Sequence, residues 1–183
     1  MYERPEGVET EPGSRVVYDL ERNEAHHGAA RVDGPAIMWR LVADESLVTL
    51  CHKVGCAALE VDIELDPALE WTVRCDRVDF TPGGVAYRHV HPGPGIRRML
   101  FGSLTIDTSH SKETFRAGQA WFEGIDEPVL ATASPDEDSA FVRVLLLPAE
   151  WQGRRSIRYL DPADEERPRL QRATVLLEEP LTL

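Results

Sequence analysis

The chain has 183 residues, 42% of them apolar and 28% charged, an ordinary globular balance at a length that suits one compact domain with arms. Thirty-two acids against twenty bases leave a net charge of -12, so a nucleic-acid backbone or an anionic membrane surface would be repelled, and neither is expected as a partner. There is no long apolar span, Met1 to Arg15 lacks a signal-peptide core, and Cys51, Cys56 and Cys75 are an odd number in a chain too long to need disulfide staples, so a cytoplasmic location is expected.

Residues 1 to 34 are punctuated by Pro5, Gly7, Pro12, Gly13, Gly28 and Gly34 and read as an N-terminal arm in which only Arg15 to Leu20 resembles a strand. The barrel domain is expected over residues 35 to 150. In its first part the pattern is ambiguous: Leu47, Val48, Leu50, Cys51 and Val54 fit a short helix, whereas Leu59, Val61, Ile63 and Leu65 alternate like a strand. Cys51, His52 and Cys56 lack a second ligand pair, and the two thiols read as buried structural residues rather than as a metal site.

From Trp71 to Pro148 the period is two: Trp71, Val73 and Cys75, then Val78 and Phe80, then Leu100 and Leu104, then Val142, Val144 and Leu146. Gly83-Gly84, Pro92 to Gly95, Gly102, Gly118 and Gly124 cut these runs into short strands, which indicates an all-β sandwich or barrel. Residues 151 to 183 are a C-terminal extension with an acidic loop, Asp161 to Glu166. Its final run, Thr174 to Leu177, suits pairing with a sheet edge or with a second subunit. There is no phosphate-loop signature and no nucleophile elbow.

The stretch that carries chemistry is Tyr87-Arg88-His89-Val90-His91-Pro92-Gly93-Pro94-Gly95. Residues i and i+2 of a strand share a face, with Cα atoms roughly 6.5 to 7 Å apart, so His89 and His91 can converge on one ion. A lone His-x-His is a weak signal, but its context resembles the first motif of the cupin superfamily, G-x5-HxH-x3 or 4-E-x6-G. Gly83 and Gly102 fall at the two glycine positions. Gly118 to Val129 resembles the second motif, G-x5-PxG-x2-H-x3-N. The resemblance covers residues 71 to 148 and implies a cupin-like double-stranded β-helix, a jelly-roll barrel.

The same alignment shows departures. Gly95 stands at the family's metal-binding Glu, Val129 at the second motif's His and Ala133 at its Asn, so His89 and His91 are the two ligands that the resemblance carries over. Two histidines alone hold a divalent metal poorly. Glu123, at the end of the strand leading into the second motif's turn, is the candidate third ligand or general base, and its alternative is a solvated turn acid. Arg97 shares the parity of Gly95 and is placed inside the barrel, to pair with Glu123 or to anchor an anionic ligand, the alternative being that the turn resets parity and it faces water. Trp121 is the candidate aromatic wall.

Three functions follow. The first is a small cupin-type metalloenzyme (an oxygenase, isomerase or decarboxylase) acting on a small, anionic organic molecule, with Fe, Zn, Mn or Ni held by His89, His91 and Glu123. The second is a metal-free cupin that binds a small molecule as a sensor or carrier. The third is a structural oligomer without activity. A homodimer formed through free sheet edges is expected in each case.

Overall fold

The computed structural model describes residues 7–44, 47–54 and 57–181, with side chains outside 42–58. Its N-terminal strands are β1 (Val8–Thr10), β2 (Arg15–Asp19), β3 (Glu24–His27), β4 (Ala30–Val32), β5 (Ala36–Asp44), β6 (Leu47–Val54) and β7 (Ala57–Glu64). Next come β8 (Trp71–Phe80), β9 (Val85–Val90), β10 (Gly95–Phe101), β11 (Ser103–Asp107), β12 (Lys112–Arg116), β13 (Ala120–Glu123), β14 (Val129–Ala133) and β15 (Ser139–Pro148). The two-residue strand β16 (Arg158–Tyr159) and the ten-residue strand β17 (Gln171–Pro180) follow, with 3-10 turns at Ala149–Trp151 and Pro162–Glu165.

Strands β8 to β15 make the barrel. One sheet runs β13-β10-β15-β8-β17 and the facing sheet β12-β11-β14-β9-β16, with antiparallel pairing throughout. Apart from the β11–β12 hairpin, each successive strand from β8 to β15 crosses to the opposite sheet. That interleaved order is the jelly roll, the all-β double-stranded β-helix expected from the sequence. At Gly102, between β10 and β11, φ is +70° and a Cβ would run into the carbonyl of Asp138, so the crossover needs glycine.

A third sheet, β3-β2-β5-β6-β7, covers the back of the first barrel sheet. Val16, Tyr18, Ile37, Trp39 and Leu41 pack there against Val73, Cys75, Ile96, Val142, Val144 and Leu146 in one buried cluster. Each such aliphatic side chain contributes about 1.5 to 3 kcal/mol by leaving water. Because β15 is covered on both faces, it reads as the nearly continuous apolar run Ala-Phe-Val-Arg-Val-Leu-Leu-Leu and is buried along almost its whole length.

Residues 7–34, expected as an arm, instead form four short strands. The alternation of Val16 and Tyr18 lets β2 bury one edge of the third sheet, paired on either side with β3 and β5. The barrel strands begin at Trp71, and Ala36 to Glu64 belong to this third sheet rather than to the barrel. Leu47–Val54, whose spacing also fits a helix, is strand β6, because β5 and β7 supply hydrogen-bonding partners on both of its sides. The expected packing of Cys51 with Cys56 lies outside the described residues. Cys75 is fully buried in the core between the sheets. The run Thr174 to Leu177 lies in β17 and pairs with β8 of the same chain.

Candidate functional site

Strand parity sends alternate residues of the first barrel sheet to opposite sides. Toward the facing sheet, one rung of register partners is Trp121, Arg97, Arg143 and Asp76, and the next is Glu123, Gly95, Leu145 and Arg74. Across the interior, β9 presents His89, whose register partners are Val129 and Tyr159. The space enclosed is a cavity of about 390 Å³. One part of its wall is polar, with His89, His91, Arg97, Glu123, Arg143 and Asp76; another is apolar, with Val78, Phe80, Ile106, Trp121, Val129 and Phe141.

All five residues singled out from the sequence, His89, His91, Arg97, Trp121 and Glu123, are buried and line this one cavity. Arg97 is 1% exposed, so the inward parity holds. Its Nη1 donates to the Gly95 carbonyl at 2.6 Å, and its Nη2 lies 2.7 Å from Glu123 Oε2 without hydrogen-bond alignment. Burial pulls its pKa down to about 10 while Glu123 opposes the shift, which leaves the guanidinium charged at neutral pH. The indole Nε1 of Trp121 donates to Glu123 Oε1 at 2.7 Å. Both oxygens of Glu123 thus face donors of this chain. Asp126 and Glu127 are turn groups: the first pairs with Arg158 at 2.9 Å and the second accepts from the Gly124 N–H at 3.2 Å.

The histidines differ from each other. His89 Nδ1 lies 2.6 Å from the Tyr87 carbonyl and His91 Nδ1 is hydrogen bonded to the Ser156 carbonyl. A carbonyl only accepts, so each Nδ1 carries the proton and each Nε2 carries a lone pair. Burial pushes both imidazoles below their ordinary pKa, most strongly His91, where Arg143 adds to the effect. The His91 lone pair accepts from Arg143 Nη1 at 3.2 Å. His91 Nε2 also lies 3.7 Å from Glu123 Oε2.

Sequence reasoning missed Arg143, Asp76 and Ser156. Arg143 donates through Nε to Asp76 Oδ1 at 2.5 Å and through Nη2 to Asp76 Oδ2 and Ser156 Oγ, each at 3.1 Å. The available signal was a charge at each of two inward parities, in strands otherwise rich in apolar residues. The segment after β15 is tied over the cavity by Arg74, which donates to the carbonyls of Trp151 and Arg154 at 2.9 Å and pairs with Glu178.

The register also accounts for the departures from the cupin motifs. Gly95 has no room for a side chain, since a Cβ would meet the Val144 carbonyl and the Leu145 side chain. Its cross-strand partner on the same face is Glu123, so this rung carries a carboxylate one strand over. Val129 lies directly across from His89 and offers a methyl wall where the motif has a ligand. As the side chains stand, the donors do not fit a divalent ion. The His91 lone pair is taken by a guanidinium, Glu123 is engaged by Arg97 and Trp121, and no cluster of three or more His, Cys, Asp or Glu ligands occurs among the described residues.

Six arginines line the cavity, Arg74, Arg97, Arg143, Arg154, Arg155 and Arg169, against two acids, Asp76 and Glu123. Four of the six are paired with carboxylates on or beside the wall in addition to Arg97: Arg74 with Glu178, Arg143 with Asp76, and Arg155 and Arg169 with Glu165.

No family model matches the chain, and no curated protein matches it in sequence. Solved structures similar to it include an RmlC-like cupin from Shewanella frigidimarina, at 12% identity and a TM-score of 0.39 over 61% of this chain and 86% of that one. The polyketide cyclase RemF from Streptomyces resistomycificus is similar at 18% identity and 0.40, over 67% and 80%. A Cupin 2 conserved barrel domain protein from Salinispora arenicola is similar at 16% and 0.38, over 61% and 83%. The fold assignment stands on the strand order of the barrel itself.

Proposed function

We propose that this chain, a barrel of the cupin type, binds a small organic anion with an apolar body in its interior. The observation that carries the reading is the excess of arginine on the cavity wall of a protein whose net charge is -12. With Glu165 and Glu178 counted beside the wall, the six arginines still outnumber the four carboxylates, and a net positive cavity with low-dielectric walls concentrates ligands of the opposite sign. Arg97 is fully buried, with Nη2 beside Glu123 Oε2 but out of hydrogen-bond alignment with it, so it is placed to give a ligand oxyanion a charge-assisted hydrogen bond. Phe80, Trp121 and Phe141 supply an apolar wall for the rest of the molecule.

A thermal-shift series with 2-naphthoate, phenylacetate and decanoate beside their primary amides tests this, because a ligand of the folded state raises the melting temperature. The carboxylates stabilise and the amides do not; equal shifts, or none, reject the reading.

The second reading is a metalloenzyme that holds a divalent ion with His89, His91 and Glu123. What favours it is that both Nδ1–H groups are anchored on backbone carbonyls, which leaves two Nε2 lone pairs on cavity-lining residues, as in many metal-binding histidines. It requires Arg143 to leave His91. A homodimer formed along a free sheet edge accompanies either reading, and a monomer mass in light scattering rejects it.

A further inference from the structure

We infer that the guanidinium of Arg143 is the resident cation of this cavity: it takes the place of a metal ion at His91, and the barrel holds no divalent metal while Arg143 is in position. The inference rests on the proposed function only for the nature of the ligand.

Arg143 is buried at the centre of the inner face, with its side chain 7% exposed. Four of its five N–H donors have partners. Asp76 takes Nε–H and one Nη2–H, Ser156 Oγ takes the other Nη2–H, and the His91 lone pair takes one Nη1–H. This bidentate seat fixes the planar group more tightly than a lysine could be fixed. The His91 lone pair points at Arg143 because the opposite ring nitrogen donates to the Ser156 carbonyl, so the loop holding Ser156 sets both the imidazole tautomer and the guanidinium position. A divalent ion on His91 would have to displace this hydrogen bond and then sit beside two buried guanidiniums, Arg143 and its register partner Arg97. At low local dielectric that repulsion is weakly screened.

The chemical consequence is specific. A guanidinium offers a fixed single charge and hydrogen-bond donors but no open coordination position and no redox change. The remaining Nη1–H of Arg143 and the Nη2 of Arg97, which is ion-paired with Glu123 but not aligned for a hydrogen bond to it, lie on adjacent strands of one wall, which suits the oxygens of a carboxylate or enolate. The cavity's electrophile is then made by the chain rather than acquired from solution.

Cobalt(II) titration of untagged protein tests this through visible absorption and elemental analysis. Wild type takes up no cobalt above a buffer blank. Arg143→Met combined with Asp76→Asn, which removes the ion pair without leaving a buried unpaired charge, gains about one cobalt per chain, and adding His91→Ala removes it again. Arg143→Gln, which keeps hydrogen-bonding groups toward Asp76 and loses the charge, provides a second variant. Cooperative melting identifies which of the two is folded, and wild type is read in either case. Cobalt uptake by wild type that His91→Ala abolishes overturns the inference, as does a folded Arg143 variant that stays empty. Binding of 2-naphthoate, measured on the same wild-type sample, reports separately on the proposed function: naphthoate binding together with cobalt uptake sinks the inference and leaves that function standing, whereas neither cobalt nor naphthoate binding does the reverse.

Discussion

The two faces of the first barrel sheet are built from alternating residues of the same strands and do opposite work. On β10 and β15, Ile96, Val142 and Val144 point back into the third sheet and are fully buried among aliphatic neighbours. Arg97 and Arg143, their immediate neighbours in sequence, point into the cavity and are buried nearly as deeply, among carboxylates and imidazoles. The back face gains stability from transfer out of water and tolerates any well-packed hydrophobe. The front face carries desolvated charges whose attraction roughly offsets the cost of burying them, so its value lies in ligand chemistry rather than in stability. A strand can hold both because the period of two keeps them apart.

Variants should break this division unequally. The largest effect falls on the front face when one partner of an ion pair is removed: Arg143→Met strands Asp76 and should cost about 3 to 5 kcal/mol in urea unfolding, with most of the loss recovered on adding Asp76→Asn. If the single and double variants were equally destabilised, the front face would be held by packing, as the back face is. Next comes Ile96→Ala on the back face, expected to cost about 2 to 5 kcal/mol of stability while leaving anion affinity per folded molecule unchanged. A matching loss of affinity would show that the two faces are coupled.

A smaller effect comes from pH. His89 and His91 are held neutral in the fold by burial, with pKa values below the ordinary imidazole value of about 6.5, so below that pH the unfolded chain binds more protons than the folded one. Their contribution is fully present above about pH 6.5 and is lost as the pH falls toward the folded values. The unfolding midpoint in urea should therefore decline between pH 7 and 5.5, and the decline should shrink in a His91→Gln variant.

The fold was legible because short alternating runs separated by Gly and Pro leave few architectures, and because Gly83, His89, His91 and Gly102 keep the spacing of a barrel turn. The site was half legible. Strand parity placed Arg97 inside, and the position of Glu123 at the end of β13 marked it, but the rung that makes Glu123 face Gly95 is a matter of register between distant strands. Arg143 and Asp76 were passed over for a physical reason. Val142, Val144, Leu146, Val73 and Cys75 form a clean apolar face, and the opposite parity of such a strand normally meets water. Here both faces are covered, one by the third sheet and one by the facing barrel sheet; the nearly continuous apolar run of β15 reflects that, whereas β8, with Arg74 and Asp76 at the inward parity, carries no such run. The same cover explains the N-terminal segment, whose short strands gain their stability from the barrel's back rather than from their own composition.

The most direct test of anion recognition on the arginine wall is calorimetric titration of wild type and Arg97→Gln with a carboxylate of the stabilising series and its primary amide. The account predicts that wild type prefers the carboxylate and that Arg97→Gln loses about 1.5 to 3 kcal/mol of carboxylate affinity, the worth of a hydrogen bond to a charged group, with the amide little changed. Equal affinity for carboxylate and amide in wild type, or an Arg97→Gln variant that keeps the wild-type preference, would contradict it.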